Sequence, residues 1–243
     1  MINNLPMLVS STGICNHLLI RFVVDSSIRL KLMGSAKYKN GFNVSLHENC
    51  LQDPYKWRKP LVIFVNSISD LYHEDVPLDF IRQIFTVMNE NPQHVFQLLT
   101  KRPERLTEIA GELEWTANIW QGVTVESEKY KERIEHLRQI PAQIRFISFE
   151  PLLGDIGDIN LTDIHWAIIG GESGVGCRPI EPEWILGIKE QCDVQNVTFY
   201  FKQWGGTNKK KTEEYCWGKH GMPSPKLREL VPEQETGMLL RQI

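Results

Sequence analysis

The chain has 243 residues, 42% of them hydrophobic, which is enough to bury a sizeable core in one β/α domain or two small ones. A net charge of −3 and a pI near 6.2 argue against a generally basic, nucleic-acid-binding surface, although they leave room for a local basic patch. No apolar run approaches the roughly 18 residues of a membrane span, and the five cysteines form no C-x-x-C pair, so a cytoplasmic protein without disulfides is expected.

Six short apolar segments recur along the chain, and each ends in a polar or charged cluster. Continuous apolar runs of this length are typical of strands that are buried on both faces of a parallel sheet. Helical signals fall between most of the segments, and such alternation predicts a parallel sheet with right-handed crossovers. The segments are 61–70, 95–102, 119–126, 145–151, 166–173 and 198–204.

The connections between these segments differ in their helical signals. After the first segment, Asp75 is expected to cap a helix with Pro77 in its first turn, and Ser127 is expected to cap a later one. Residues 152–165 lack a helical period and are expected to form a loop. The whole pattern predicts an α/β fold, a partial β/α barrel with parallel strands and helices outside.

Composition divides the chain into three regions. Residues 34–206 contain the strands and helices of the predicted barrel. Residues 1–33 show no clear period and form an atypical N-terminal segment, whereas 207–243 are rich in lysine, glycine and proline and are expected to form a tail.

Polar side chains gather at the C-terminal ends of the predicted strands, the edge at which ligands bind in open α/β sheets and β/α barrels. Glu150 and Lys202 are either a reactive pair or an inert buried ion pair, and Trp204 either stacks on a flat ligand or packs in the core. Lys101 and Arg102 either hold an anionic substrate or are solvated. The candidate catalytic residues are Asp70, Glu126, Glu150 and Lys202, and the candidate substrate-binding residues are Ser67, Lys101, Arg102, Gln203 and Trp204.

The glycine-rich turn 170–176 (GGESGVG) follows a predicted strand, so its backbone N–H groups are placed to cradle a carboxylate or phosphate. This gives Gly170, Gly171 and Glu172 as candidate cofactor-binding residues. A flexible turn that needs glycine at positive φ is the alternative. The histidines show no H-E-x-x-H spacing. The cluster of Asp70, His73, Glu74 and Asp75 is suggestive of a metal site, but the expected cap at Asp75 and simple exposure explain most of it, so no metal site is predicted.

Ordered sequence strings between about residues 32 and 206 resemble a known family. The strings are YKNGFNVSLHE, FVNSISDLYHEDVP, QLLTKRPERL, GVTVES, FEPLLG, IIGGESG, RPIEP and FYFKQWGG. The family is phage- and prophage-associated, is usually called gp thirty-seven/gp sixty-eight, and is also described as a three-cysteine-motif, radical-SAM-like domain of unknown function. The resemblance implies a radical-SAM/TIM-barrel-like fold, a [4Fe–4S] cluster and S-adenosylmethionine.

The chain departs from that family before Met33. Members of the family carry a three-cysteine loop there, whereas this chain contains only Cys15 in the corresponding stretch. A cluster that activates S-adenosylmethionine needs three thiolates, so neither cluster nor cofactor is expected here. Either a natural degeneration of the loop or a mis-assigned reading frame would explain why the three cysteines are missing before Met33.

Three functions follow from these observations. The leading one is a phage-associated, radical-SAM-like protein of unknown substrate that lacks its cluster in this chain. The second is a cluster-free hydrolase or lyase that uses strand-end carboxylates, with Glu150 and Glu172 as acid and base. The third is a non-catalytic phage accessory protein that binds nucleic acid or a protein partner through Lys101, Arg102 and the lysines at 209–211.

Overall fold

The six apolar segments pair side by side in one sheet, in the order in which they occur in the sequence. The computed structural model describes residues 44, 46–65 and 70–206, and in this part of the chain every strand pairing is parallel. The sheet curls into a half-barrel with the helices outside, which confirms the predicted partial β/α barrel. The strands are β1 (Val62–Phe64), β2 (Val95–Thr100), β3 (Ile119–Thr124), β4 (Ile144–Phe149), β5 (Trp166–Gly170) and β6 (Thr198–Gln203).

Four α-helices connect the described strands, and the first of them buries an apolar face that includes Phe80, Ile84 and Met88. The connection from β4 to β5 contains no helix, as its sequence predicted. No helix in the described ranges is both long and apolar enough to cross a membrane. The helices are α1 (Leu78–Asn89), α2 (Pro103–Ile109), α3 (Glu132–Arg138) and α4 (Pro182–Val194).

Both predicted helix caps are wrong. Helix α1 begins at Leu78, because Pro77 has an extended ψ of 139° and the chain enters the helix only after it; no side chain caps this end. Ser127 precedes a single 3₁₀ turn, Glu128–Tyr130, and α3 begins only at Glu132. The predicted regions 1–33 and 207–243 lie outside the described residues.

The two faces of the sheet carry different side chains. Alternate residues of the strands pack against the helices on the outer face, in one cluster around β1, β2 and α1 and a second around β4, β5, β6 and α4. The residues between them form a third cluster of Trp120, Phe146 and Trp166 that contains no helical residue. This cluster therefore lies on the concave face of the half-barrel.

Two histidines close the N-terminal end of the sheet by the same interaction. His94 Nδ1 accepts the backbone N–H of Leu61 at 3.2 Å, and His165 Nδ1 accepts that of Arg145 at 3.2 Å. Both interactions need a neutral ring with a lone pair on Nδ1. Desolvation is the main cause that lowers the pKa of both histidines below the ordinary value of 6.5. His94 is fully buried, whereas His165 is exposed, so the larger effect is expected from His94.

Stability is therefore expected to fall in mild acid. Because the folded-state pKa of each histidine lies below its unfolded-state pKa, the stabilisation is present above about pH 6.5 and is lost as the pH falls below that value. Urea unfolding midpoints of the wild type should thus drop between pH 7.5 and pH 5. In the double variant His94→Asn, His165→Asn, whose amide oxygens still accept but do not titrate, the drop should be smaller; an equal drop would contradict this account.

Candidate active site at the inner rim

The alternation of side chains along each strand separates the predicted site residues into two groups. Trp120, Phe146, Trp166 and Tyr200 belong to the concave cluster. Counting on by twos from these positions and from Leu99 reaches five charged residues at the C-terminal strand ends. One of them, Glu172, is bound by Arg178 of its own loop, and the other four form a group of their own. We call this group the inner rim; it consists of Lys101, Glu126, Glu150 and Lys202.

Glu150 and Lys202 form an ion pair across the end of β5. Glu150 Oε1 lies 3.0 Å from Lys202 Nζ, and Glu150 Oε2 accepts a hydrogen bond from Ser148 Oγ at 3.2 Å. The Glu150 side chain is 18% exposed and that of Lys202 53% exposed. The pair is therefore open to solvent on the lysine side and is not sealed in the core.

Gly170 provides the space that this pair occupies. A Cβ at residue 170 would lie 2.6 Å from Glu150 Oε1. The carboxylate can reach Lys202 only because β5, which lies between β4 and β6, carries no side chain at this level. Gly170 thus shapes the site sterically.

Glu126 is the second carboxylate of the inner rim, and it binds two cations. Its Oε1 contacts Lys101 Nζ, and its Oε2 accepts a hydrogen bond from Arg133 Nη1 at 3.0 Å. Arg133 lies on α3 and also donates to the carbonyl of Thr124 at 2.7 Å. Glu126 is 8% exposed, so its charge is compensated by cations rather than by water.

Asp70 lies on the outer side of the same edge and links the segment after β1 to the C-terminal end of β2 through hydrogen bonds. Its carboxylate accepts hydrogen bonds from Thr100 Oγ1 and from the backbone N–H groups of Tyr72 and Lys101 at 2.8–3.0 Å. Arg102 Nη1 lies 3.5 Å away. These bonds occupy the carboxylate, so Asp70 and Arg102 are separated from the inner rim and position the turn that carries Lys101.

The glycine-rich turn is explained largely by close packing against the end of β6. A Cβ at Gly171 would lie 2.1 Å from the carbonyl oxygen of Trp204, and the N–H of Gly171 donates to the carbonyl of Gln203 at 2.9 Å. The Gln203 amide in turn donates to Ser173 Oγ at 2.6 Å. Trp204 is 5% exposed and packs edge-on against Phe201, as the packing alternative predicted.

Glu172 is engaged by a residue of its own loop. Arg178 donates to both oxygens of the Glu172 carboxylate from Nε, Nη2 and the backbone N–H, each at 2.9 Å. The Arg178 hydrogen bonds lower the pKa of Glu172 to about 2. Glu172 is therefore ionised at neutral pH and unsuited to proton transfer there.

A family model described as "Protein of unknown function (DUF5131)" matches residues 13–234, which is most of the chain. This protein belongs to the DUF5131 family. No curated protein and no solved structure matches it.

Sequence patterns missed three residues of this DUF5131 site. Ser148 could have been found, because it lies two residues before Glu150 in a strand and so on the same face. No sequence pattern indicated that Arg133 pairs with Glu126 or Arg178 with Glu172. The first pair depends on how α3 packs, and the second depends on the conformation of the loop after β5. Ser67, predicted to bind substrate, lies outside the described residues.

Gly170→Ala tests the steric role of this glycine. The added methyl group should displace the Glu150 carboxylate and lower the free energy of unfolding by about 1–3 kcal/mol, as overpacking commonly does. The control is Gly187→Ala in α4, where a Cβ meets nothing within 4 Å. That change should raise the free energy of unfolding by about 0.5–1 kcal/mol. Equal effects in urea unfolding would contradict the close approach of Glu150 to Gly170.

Proposed function

We propose that this DUF5131 protein is a radical-SAM-like half-barrel protein, phage- or prophage-associated and cytoplasmic, that acts on a small anionic molecule at its inner rim. The Glu150–Lys202 pair is the observation that carries the proposal, with its carboxylate and ammonium 3.0 Å apart and half open to solvent. The parallel order of the strands and the sequence resemblance support the radical-SAM-like assignment. In such folds the strand ends position substrate and cofactor.

The described cysteines do not fit an iron–sulfur cluster. Cys50 and Cys192 lie in the two different hydrophobic clusters of the outer face, and Cys177 lies in the loop after β5. Burial raises the pKa of Cys192 to about 12, so this residue is a thiol rather than the thiolate that iron requires. The described residues contain no group of three cysteine, histidine or acidic side chains arranged to hold a metal ion. Cys15 and Cys216 lie outside the described residues.

We accordingly predict that the chain does not assemble a [4Fe–4S] cluster. After anaerobic incubation with iron and sulfide, desalted protein should contain far less than four irons per chain, because three thiolates are required at one place. Iron and sulfide analysis with the 400-nm absorbance checks this. A brown protein with about four irons per chain that cleaves S-adenosylmethionine reductively would overturn the prediction.

A second candidate function, a cluster-free hydrolase or lyase, is favoured by the contact between Ser148 and Glu150. The Ser148 hydroxyl orients one oxygen of Glu150, and the other oxygen faces Lys202. Glu150 is then placed to take a proton from water or from a substrate C–H, and the Lys202 ammonium to give one to a leaving group. Positioned acids and bases of this kind contribute about 10²–10⁴-fold each. Glu172 is poorly suited to share this chemistry, because Arg178 donates to both of its oxygens and its low pKa makes it a weak base with no proton to give at neutral pH.

Two variants test the role of the pair. Small anionic metabolites, and separately S-adenosylmethionine, are screened by thermal shift against the wild type, Glu150→Gln and Lys202→Met. Ligands of the wild type should lose their shift in both variants. Lys202→Met should itself lower the free energy of unfolding by only about 1 kcal/mol, because the lysine is half exposed and Ser148 still bonds Glu150. Ligand shifts that are unchanged in both variants would reject the inner rim as the reactive site.

A further inference from the structure

The two cations on Glu126 are not equivalent. The side chain of Arg133 is 12% exposed, whereas that of Lys101 is 52% exposed. Arg133 is fixed by its bond to the Thr124 carbonyl, and its guanidinium lies 4.2 Å from the centroid of the Tyr130 ring. One buried carboxylate needs one cation, and Arg133 is that cation. Lys101 therefore provides a positive charge beyond what the buried carboxylate requires.

Lys101 is also held more firmly than a surface lysine usually is. Its backbone N–H donates to Asp70 at 3.0 Å, and Asp70 is itself bonded to the N–H of Tyr72. The Tyr72 side chain is fully buried, and its hydroxyl donates to Gln121 on β3 at 2.8 Å. This chain of contacts connects the Lys101 turn to the core. An ammonium has three donors, so those that Glu126 does not take are directed elsewhere.

The charges of the ion-paired groups at this edge do not balance. Asp70, Glu150 and Glu172 each have one cationic partner among the described residues, and Glu126 has two. These groups together carry one excess positive charge, although the chain as a whole carries a net charge of −3. The cations are Lys101, Arg102, Arg133, Arg178 and Lys202.

We propose that Lys101, backed by Arg133, binds the oxyanion of a small-molecule ligand, a carboxylate or a phosphate monoester. Thr124 and Ser148 are register partners on β3 and β4, so Glu126 and Glu150 follow neighbouring strands whose backbones are about 5 Å apart. The anionic group would thus lie next to the Glu150–Lys202 pair. The inference rests on the proposed function for the identity of the reacting end, and it adds where the anionic end is held.

A small molecule fits this site better than a nucleic acid does. Nucleic-acid binding draws its affinity from several phosphate contacts along a basic surface. Here Arg102 is paired with Asp70 and Arg178 with Glu172, and the excess is a single charge at one end of the inner rim. A ligand with one oxyanion matches that excess.

The test measures the binding of inorganic phosphate, and separately of acetate, by isothermal titration calorimetry at ionic strength held constant with KCl. Lys101→Met should keep the fold, because Glu126 remains paired with Arg133, and Lys101→Gln serves as a second variant. Both should bind phosphate about tenfold or more weakly than the wild type, since a charge-assisted hydrogen bond is lost. Lys56→Met is the control, because that lysine is also exposed and ion-paired, with Asp53, but does not belong to the inner rim. It should retain the wild-type affinity to within about threefold.

The outcomes separate this inference from its alternatives. Unchanged phosphate affinity in the folded Lys101 variants would overturn it. An equal loss in Lys56→Met would also overturn it, because the effect would then come from the overall charge of the protein. A single-stranded oligonucleotide that binds more tightly than phosphate, with a steep salt dependence lost in Lys101→Met, would replace it with a nucleic-acid site. Phosphate binding that depends on Lys101 stands even if Glu150 and Lys202 prove inert, so the two proposals fail separately.

Discussion

All the candidate chemistry of this protein depends on one constraint, the parallel pairing of consecutive strands in sequence order. In such a sheet every strand ends at the same edge, so residues that are 25 positions apart, such as Lys101 and Glu126, or 52 apart, such as Glu150 and Lys202, become neighbours. Lys101, Glu126, Glu150 and Lys202 come together for this reason. The curl of the sheet then separates a concave side, which faces away from the helices, from an outer side that packs against them.

A second constraint follows from the first, because the carboxylates gathered at this edge are partly or largely buried. A buried carboxylate is costly unless it is paired, and each one here has a cation. The pairs differ in what they leave available. The oxygens of Asp70 accept hydrogen bonds from two backbone N–H groups and the Thr100 hydroxyl. Those of Glu172 accept hydrogen bonds from Arg178, so both carboxylates have a structural role. Glu126 and Glu150 are paired with lysines whose side chains are half exposed. These two lysines are the cations at this edge that a ligand is proposed to contact.

Two features of this DUF5131 protein bear on whether it binds a cofactor, namely the glycine-rich turn and the cysteines. The glycine-rich turn, which first suggested a cofactor cradle, is accounted for by close contacts, because Gly170 makes room for Glu150 and Gly171 for the Trp204 carbonyl. Its glycines therefore serve the site indirectly, by letting charged side chains and backbone approach. The described cysteines are distributed through separate parts of the fold and do not provide a cluster. Acid–base chemistry by Glu150 and Lys202 needs none.

The sequence by itself determined the architecture and the edge at which the site lies. Six continuous apolar segments, each closed by polar residues, are typical of the strands of a parallel sheet, and strand–helix alternation favours parallel pairing. The expected burial on both faces fails at the edge strands β1 and β6, which are only partly buried because each has a neighbour on one side only among the described strands. The sequence also identified the charged residues of the inner rim, since each lies near the C-terminal end of such a segment. The helix starts at Asp75 and Ser127 were predicted wrongly, because a proline and a 3₁₀ turn delay the helices and such local geometry outweighs capping preference.

Only the tertiary structure decided how those residues divide into partners. Asp70 and Lys101 both follow strands and look equivalent in sequence. Asp70, however, bonds the backbone on the outer side of the sheet, whereas the Lys101 side chain lies on the concave side. Arg133 and Arg178 become partners of Glu126 and Glu172 through the placement of a helix and the closure of a loop, and no periodicity encodes either. The physical reason is that strand periodicity is a local property that patterns reveal, whereas charge pairing depends on distances between side chains that packing alone determines.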